Sequence, residues 1–303
     1  MTTPQPAADI RRVRPIQGVW RSRPTIEGAG VHLKRAFGAD VVPRMDPFLL
    51  MDDFHSANPA DYSKGFPWHP HRGIETITYV LDGEVDHGDS LGNQGTIGAG
   101  DVQWMTAGGG IIHQEMPRGD RKGLNHGFQL WANLPAAHKM MSPRYREVKA
   151  AEIPALDTPD GARVRVICGT VGAVSGPIAD VDAEPEYLDV RLPAHTRFTH
   201  PAPRGRTVLA YVVEGAARFQ PEGVGPEGAP GSGPLGAETL VHYGDGESVE
   251  IATGSDPARF LLISGRPLGE PVAWSGPIVM NTRDEIKRAF EELRAGTFIR
   301  PAG

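Results

Sequence analysis

Ile74-Glu75-Thr76-Ile77-Thr78-Tyr79-Val80-Leu81-Asp82-Gly83 is a run of β-branched and aromatic residues closed by a turn dipeptide, the pattern of a strand entering a hairpin. Residues 85–89 supply the returning strand, 91–95 a second turn, and 97–102 lead into a further strand. The pattern recurs later in the chain. Thr76-Ile77-Thr78-Tyr79-Val80-Leu81-Asp82-Gly83 aligns with Val208-Leu209-Ala210-Tyr211-Val212-Val213-Glu214-Gly215, and Ile97-Gly98-Ala99-Gly100-Asp101 echoes Tyr243-Gly244-Asp245-Gly246-Glu247. Two tandem copies of one β-unit explain both matches.

The rest of the chain extends this all-β reading. Strand patterns recur at 162–167, 187–192, 207–213, 216–219 and 260–263, and the 38 Gly and 28 Pro among 303 residues supply turns between short strands. The expected division is a flexible tail over 1–10, a first β-barrel unit over 11–132, a connector over 133–148, and a second unit over 149–303. Residues 221–236 are rich in Gly and Pro and nearly devoid of large apolar side chains, so they predict a long exposed loop. A C-terminal helix is expected over about 283–294. Asn281-Thr282 caps it, Gly296 stops it, and Ile286, Phe290 and Leu293 fall on one face.

Composition narrows the function. A net charge of −6 with the two signs mixed, and no basic block interleaved with aromatics, argues against direct nucleic-acid contact. The single cysteine, Cys168, excludes an internal disulfide and a cysteine-based zinc site, and its apolar neighbours Val164, Val166 and Ile167 mark it as a buried strand residue. No apolar run approaches the roughly 18 residues needed to span a bilayer, and the N-terminus lacks the pattern of a signal peptide. A cytoplasmic protein is expected, or a nuclear one if the source is eukaryotic.

Chemistry concentrates in two short motifs. His69-Pro70-His71 precedes the strand at Ile74, and His113-Gln114-Glu115 follows Gly108-Gly109-Gly110. Residues two apart in an extended segment project to one side, so each motif presents a pair of ligating side chains. Imidazoles with a carboxylate form the ligand set of non-haem iron, manganese, nickel and zinc sites. The candidate ligands are His69, His71, His113 and a glutamate. Glu75, four residues after His71, and Glu115 compete for that place. The glycine run frees the backbone before His113 and lets Glu115 turn inward; the preference for Glu115, with Glu75 left to orient an imidazole, comes with the family resemblance given below. In the second copy Pro201, Pro203 and Thr207 align with His69, His71 and Glu75, while Arg259 and Leu261 are the nearest equivalents of His113 and Glu115. One divalent metal per chain, in the first unit, is expected. His87 is expected on a solvent-facing strand position, His126 near the barrel interior, His138 exposed in the connector, and Arg72 in a salt bridge to a carboxylate such as Glu75. Phe54, Trp104, Met105 and Met116 suit either core or pocket.

His69-Pro70-His71-Arg72-Gly73-Ile74-Glu75-Thr76 followed by Gly108-Gly109-Gly110-Ile111-Ile112-His113-Gln114-Glu115-Met116-Pro117 closely resembles the pirin family. Residues 47–54, 129–135 and 276–282 support the resemblance, which spans about 12–298. It implies two tandem cupin (jelly-roll-like) β-barrels with metal only in the first, held by His69, His71, His113 and Glu115. It further implies iron(II) as the metal and quercetin 2,3-dioxygenase activity on a flavonol, with Glu115 as the catalytic base. Other members imply an alternative role as an iron-dependent regulator with a protein partner.

Overall fold

Alternation of buried and exposed side chains along short strands governs the architecture. The computed structural model describes residues 12–299 apart from 43, 222–223, 225–230 and 232. The expected tail and most of the expected 221–236 loop lie outside the described residues. The first barrel combines two antiparallel sheets. A seven-stranded sheet runs in the order Arg144–Val148, Val102–Thr106, Ile74–Asp82, Asn125–Asn133, Phe48–Ser56, Val31–Phe37, Arg23–Glu27. A four-stranded sheet runs Phe66–His71, Ile111–Arg118, Glu84–Asp89, Gln94–Gly98. The second barrel is built on a nine-stranded sheet centred on Thr207–Arg218 and the long, irregular strand Ser248–Gly265.

The two copies of the repeat meet back to back. Ile77, Tyr79, Trp104 and Phe128 of the first barrel share one buried cluster with Tyr187, Leu209, Tyr211 and Leu261 of the second. The aligned tyrosines cross over reciprocally: Tyr79 donates a hydrogen bond to Asp189 Oδ2 (2.6 Å) and Tyr211 donates one to Asp53 Oδ2 (2.8 Å). Buried phenols need such partners, and here each barrel supplies the other's. Cys168 is buried in this cluster with its thiol on the Ile178 and Pro185 carbonyls.

Chain order and barrel membership diverge at both ends. The strand Ile16–Arg21 lies in the segment assigned to the first unit by sequence, yet it pairs with Thr239–Tyr243 in the second barrel's sheet. In return, residues 273–299 pack on the first barrel, where Ile278, Met280, Ala289 and Phe298 cluster with Ile112. The connector also departs from expectation. Its residues Arg144–Val148 form a strand beside Val102–Thr106, with Val148 in the core and the Tyr145 ring stacked on His87. The C-terminal helix is Arg283–Ala295, opened by a capping box between Thr282 and Glu285 and closed at Gly296 in the left-handed region. Among the described residues, no helix is long and apolar enough to cross a membrane.

Candidate metal centre

Two neighbouring strands of the four-stranded sheet carry the three histidines. His69 on Phe66–His71 lies directly opposite His113 on Ile111–Arg118, and His71 is two residues along from His69 on the same face. A ligand nitrogen of each of the three falls within 4.8 Å of the others. His69 and His71 approach with their Nε2 atoms 3.1 Å apart. Their opposite nitrogens are committed, since His69 Nδ1 donates to the Pro67 carbonyl (2.8 Å) and His71 Nδ1 to the Pro277 carbonyl (3.0 Å). With the proton on each Nδ1, two bare lone pairs face each other.

That contact is repulsive unless a cation joins the pair. Two nitrogens each about 2.1 Å from one metal, at right angles across it, lie roughly 3.0 Å apart. Both nitrogens of His113 are buried without a hydrogen-bond partner, a costly arrangement for a polar ring. The donor set therefore fits a bound divalent metal. Burial, with the neighbouring histidines adding to it, pushes the His71 imidazole down to about 3 and holds His113 well below the usual histidine range. All three rings are therefore neutral at physiological pH, the form in which an imidazole can ligate.

Local backbone explains why the motifs converge. Gly73 stands between the His71 strand and the strand Ile74–Asp82 with φ +78°, and a Cβ there would sit 1.9 Å from the Val279 carbonyl oxygen. Gly108, at φ +48°, is equally confined by the Met141 carbonyl at 2.2 Å. Only glycine accepts both the conformation and the crowding.

Gly73 also decides the position of Glu75. The chain changes sheet there, so the side-by-side parity expected of His69, His71 and Glu75 does not carry across. Glu75 shares its face with Ile77 and Tyr79, is buried at the inter-barrel side, and accepts a hydrogen bond from Thr106 Oγ1 (2.7 Å). It orients none of the imidazoles; backbone carbonyls hold two of them. Glu115 instead lines the same cavity as His69 and His71. Its Oε1 lies 3.0 Å from Thr78 Oγ1, which lies 2.6 Å from Gln129 Oε1. Burial pushes the Glu115 carboxyl up to about 7 against the lowering effect of Thr78. Glu115 is not among the three side chains that cluster within 4.8 Å.

Other expectations change as well. His87 does not face solvent. It is buried, stacks on Tyr145 (ring centroids 4.7 Å apart), reaches Asp89 at 3.3 Å and lies 5.4 Å ring to ring from His113. The connector strand that carries Tyr145 is what covers it. His126 is buried but stacks on His55, away from the three histidines. His138 is exposed and pairs with Asp182. Arg72 turns from Glu75 to the C-terminal segment, where it meets Glu292 (2.6 Å), the Gly109 carbonyl (2.7 Å) and the face of Phe298.

The second barrel lacks the ligand set, by a different equivalence from the one the sequence suggested. Tyr243 pairs with Val208 as Met105 pairs with Thr76, which sets Ile251 in the place of His113, with Phe198 opposite it in the place of His69 and His200 in that of His71. Phe198 and Ile251 are core residues, and Pro201 is exposed. Arg259 and Leu261 lie on the sheet that packs against the first barrel, because the strand Ser248–Gly265 runs on through both positions.

A cavity of about 700 Å³ opens onto His69 and His71. Leu33, Phe54, Phe66, Trp131 and Trp274 give it apolar walls, and Gln129 and Glu115 supply polar contacts within. Phe54 is thus both core and wall, while Trp104 and Met105 are core alone. Sequence reasoning missed Pro277 and Trp274, which reach the site from the far end of the chain. Pro277 falls in the 276–282 stretch, whereas Trp274 lies just before it and carries no signal.

The pirin family model matches residues 30–132, and the model of the pirin C-terminal cupin domain matches residues 187–299. A pirin-like protein of Caulobacter vibrioides is 42% identical over 287 residues, covering 94% of this chain and 99% of its own. Human pirin is 39% identical over 276 residues, covering 90% of each chain. A crystal structure of quercetin 2,3-dioxygenase from Acinetobacter baumannii superposes with a TM-score of 0.83 at 32% identity, covering 94% of this chain and 98% of that one. Together with the two barrels and the histidine cluster in the first of them, these matches show that the chain belongs to the pirin family of two-barrel cupins.

Proposed function

We propose that this protein is a metal-dependent dioxygenase of the quercetin 2,3-dioxygenase type. It holds one iron(II) through His69, His71, His113 and Glu115, opens a flavonol ring with O₂ and releases carbon monoxide. The observation that carries this reading is the apolar cavity of about 700 Å³ opening onto His69, His71 and Glu115, a volume suited to a small aromatic ligand. A regulator that acts only by docking a protein partner has no use for such a cavity.

The bound metal supplies Lewis acidity toward a flavonol hydroxyl and a redox-active centre for O₂. The chain's own groups do the rest. Trp131, Phe66 and Trp274 line the cavity with aromatic surface that packs against a flat polyphenol and excludes water. Glu115 accepts the proton of the 3-hydroxyl, and Thr78 Oγ1, placed between Glu115 Oε1 and Gln129 Oε1, donates its single hydrogen bond to the carboxylate. The Pro67 and Pro277 carbonyls fix the tautomers of His69 and His71, leaving each Nε2 free to ligate.

The test is direct. Protein loaded with iron(II) is incubated anaerobically with quercetin, O₂ is admitted, and carbon monoxide is measured. Carbon monoxide in step with loss of the flavonol absorbance is expected. Full iron occupancy with no carbon monoxide would overturn the proposal.

A further inference from the structure

We infer that Asp53, His55 and His126 form a second divalent-cation site, separate from the three-histidine centre and facing the seam between the barrels. His126 lies directly opposite His55 across the strand pair Asn125–Asn133 and Phe48–Ser56, and Asp53 is two residues from His55 on the same face. One ligand atom of each lies within 4.8 Å of the others. Asp53 Oδ1 and His126 Nε2 are both buried with no hydrogen-bond partner. They stand 3.5 Å apart, long for a hydrogen bond between a carboxylate and an imidazole. Two ligand atoms each about 2.1 Å from a tetrahedral zinc lie roughly 3.4 Å apart.

The internal repeat supplies an independent argument. Phe128 pairs with Tyr79 and Asp53, as Leu261 pairs with Tyr211 and Asp189. Asp53 is therefore the counterpart of Asp189, His126 of Arg259, and His55 of Arg191. In the second barrel Arg259 grips Asp189 with two hydrogen bonds of 2.9 and 2.7 Å, and a fixed cation neutralises the buried carboxylate. The first barrel has a carboxylate in the same place, and it likewise accepts a tyrosine hydroxyl. The guanidinium is replaced by an imidazole whose nitrogen stops short of it. A metal ion bridging Asp53 and His126 restores the missing charge.

His55 completes the set from the solvent side. Its ring stacks on His126 with centroids 4.0 Å apart and an angle of 9° between planes. One ion cannot lie in both parallel planes, so binding turns the His55 ring about its Cβ–Cγ bond, a broad torsion that exposure leaves free. Lys34, the nearby cation, is paired with Glu238. The ligand class is a borderline divalent metal such as zinc, with water in the fourth position.

Zinc alone is the probe, titrated calorimetrically into the full-length chain. His113→Ala silences the first centre, with His69→Ala as a second route should that variant fold poorly. One equivalent is expected to remain in either variant, and His55→Ala added to it should weaken that equivalent at least tenfold. His126→Arg copies the second barrel's arrangement and should abolish the same equivalent while leaving the protein folded. Cobalt(II) in its place should give tetrahedral absorption bands that His55→Ala removes. Absence of zinc binding in both His113→Ala and His69→Ala overturns the inference, as does a residual equivalent indifferent to His55→Ala and His126→Arg.

Discussion

Lys139 offers a quantitative test of how the site is braced. Its ammonium is almost fully buried and donates to the Gly73 carbonyl (2.9 Å), Asn133 Oδ1 (2.6 Å) and the Val279 carbonyl (3.1 Å). It thereby ties the hinge between His71 and Ile74 to the C-terminal segment that presents Pro277. Each hydrogen bond from a charged donor contributes about 1.5–3 kcal/mol, so three contribute roughly 4–9 kcal/mol. Burial offsets part of this by driving the Lys139 pKa from 10.5 down to about 8, which corresponds to roughly 3 kcal/mol. Lys139→Met keeps the volume but removes all three bonds, and a net loss of about 3 kcal/mol is expected. At roughly 2–4 °C per kcal/mol for chains of this size, Tm should fall by about 6–12 °C. The sign with pH follows from the lowered folded-state value. Between about pH 8 and 10.5 the unfolded chain binds the proton that folded Lys139 has released, so the Lys139 contribution to stability rises with pH across that window. The difference in unfolding free energy between wild type and Lys139→Met should therefore grow toward alkaline pH in denaturant titrations. A fall in Tm below about 2 °C, or a difference that is flat with pH, would refute the bracing role.

Four further outcomes follow from contacts described above. Arg72→Ala removes the Glu292 ion pair and the Phe298 stacking, so a loss of about 3–4 kcal/mol is expected, with faster hydrogen exchange concentrated in the C-terminal helix. Tyr211→Phe should cost more than Tyr79→Phe in thermal melts, because Asp189 keeps Arg259 while Asp53 has no guanidinium; equal losses would contradict the asymmetry. Glu115→Gln should lower quercetin turnover by about a hundredfold, in the range of a lost proton-transfer group. Glu75→Gln, remote from the cavity, should leave iron content unchanged in elemental analysis.

Much of this was legible in the sequence because strands report their faces with a period of two. His69 with His71, and His113 with Glu115, share sides as their spacing dictated; that the Tyr79 and Tyr211 copies line the seam between the barrels is visible only in the fold. The placement of Glu75 was not legible, because parity ends at Gly73, where the chain crosses from one sheet to the other. His87 was misread because the residue that buries it, Tyr145, lies on a strand concealed in an apparent connector. The match of Arg259 to His113 failed because the likeness of Tyr243–Glu247 to Ile97–Asp101 is not a structural one: Tyr243 pairs with Val208 as Met105, not Ile97, pairs with Thr76. The hold on His71 comes from a backbone carbonyl at Pro277, and a carbonyl carries no sequence signature of its own.

The central claim is that His69, His71 and His113 hold a metal in the first barrel. Its most direct test is the iron content of anaerobically loaded protein in a His55→Ala background, which isolates this centre from the proposed second one. One iron per chain is expected in that background and none once His113→Ala is added, with the fold retained by circular dichroism. Undiminished iron after His113→Ala would contradict it.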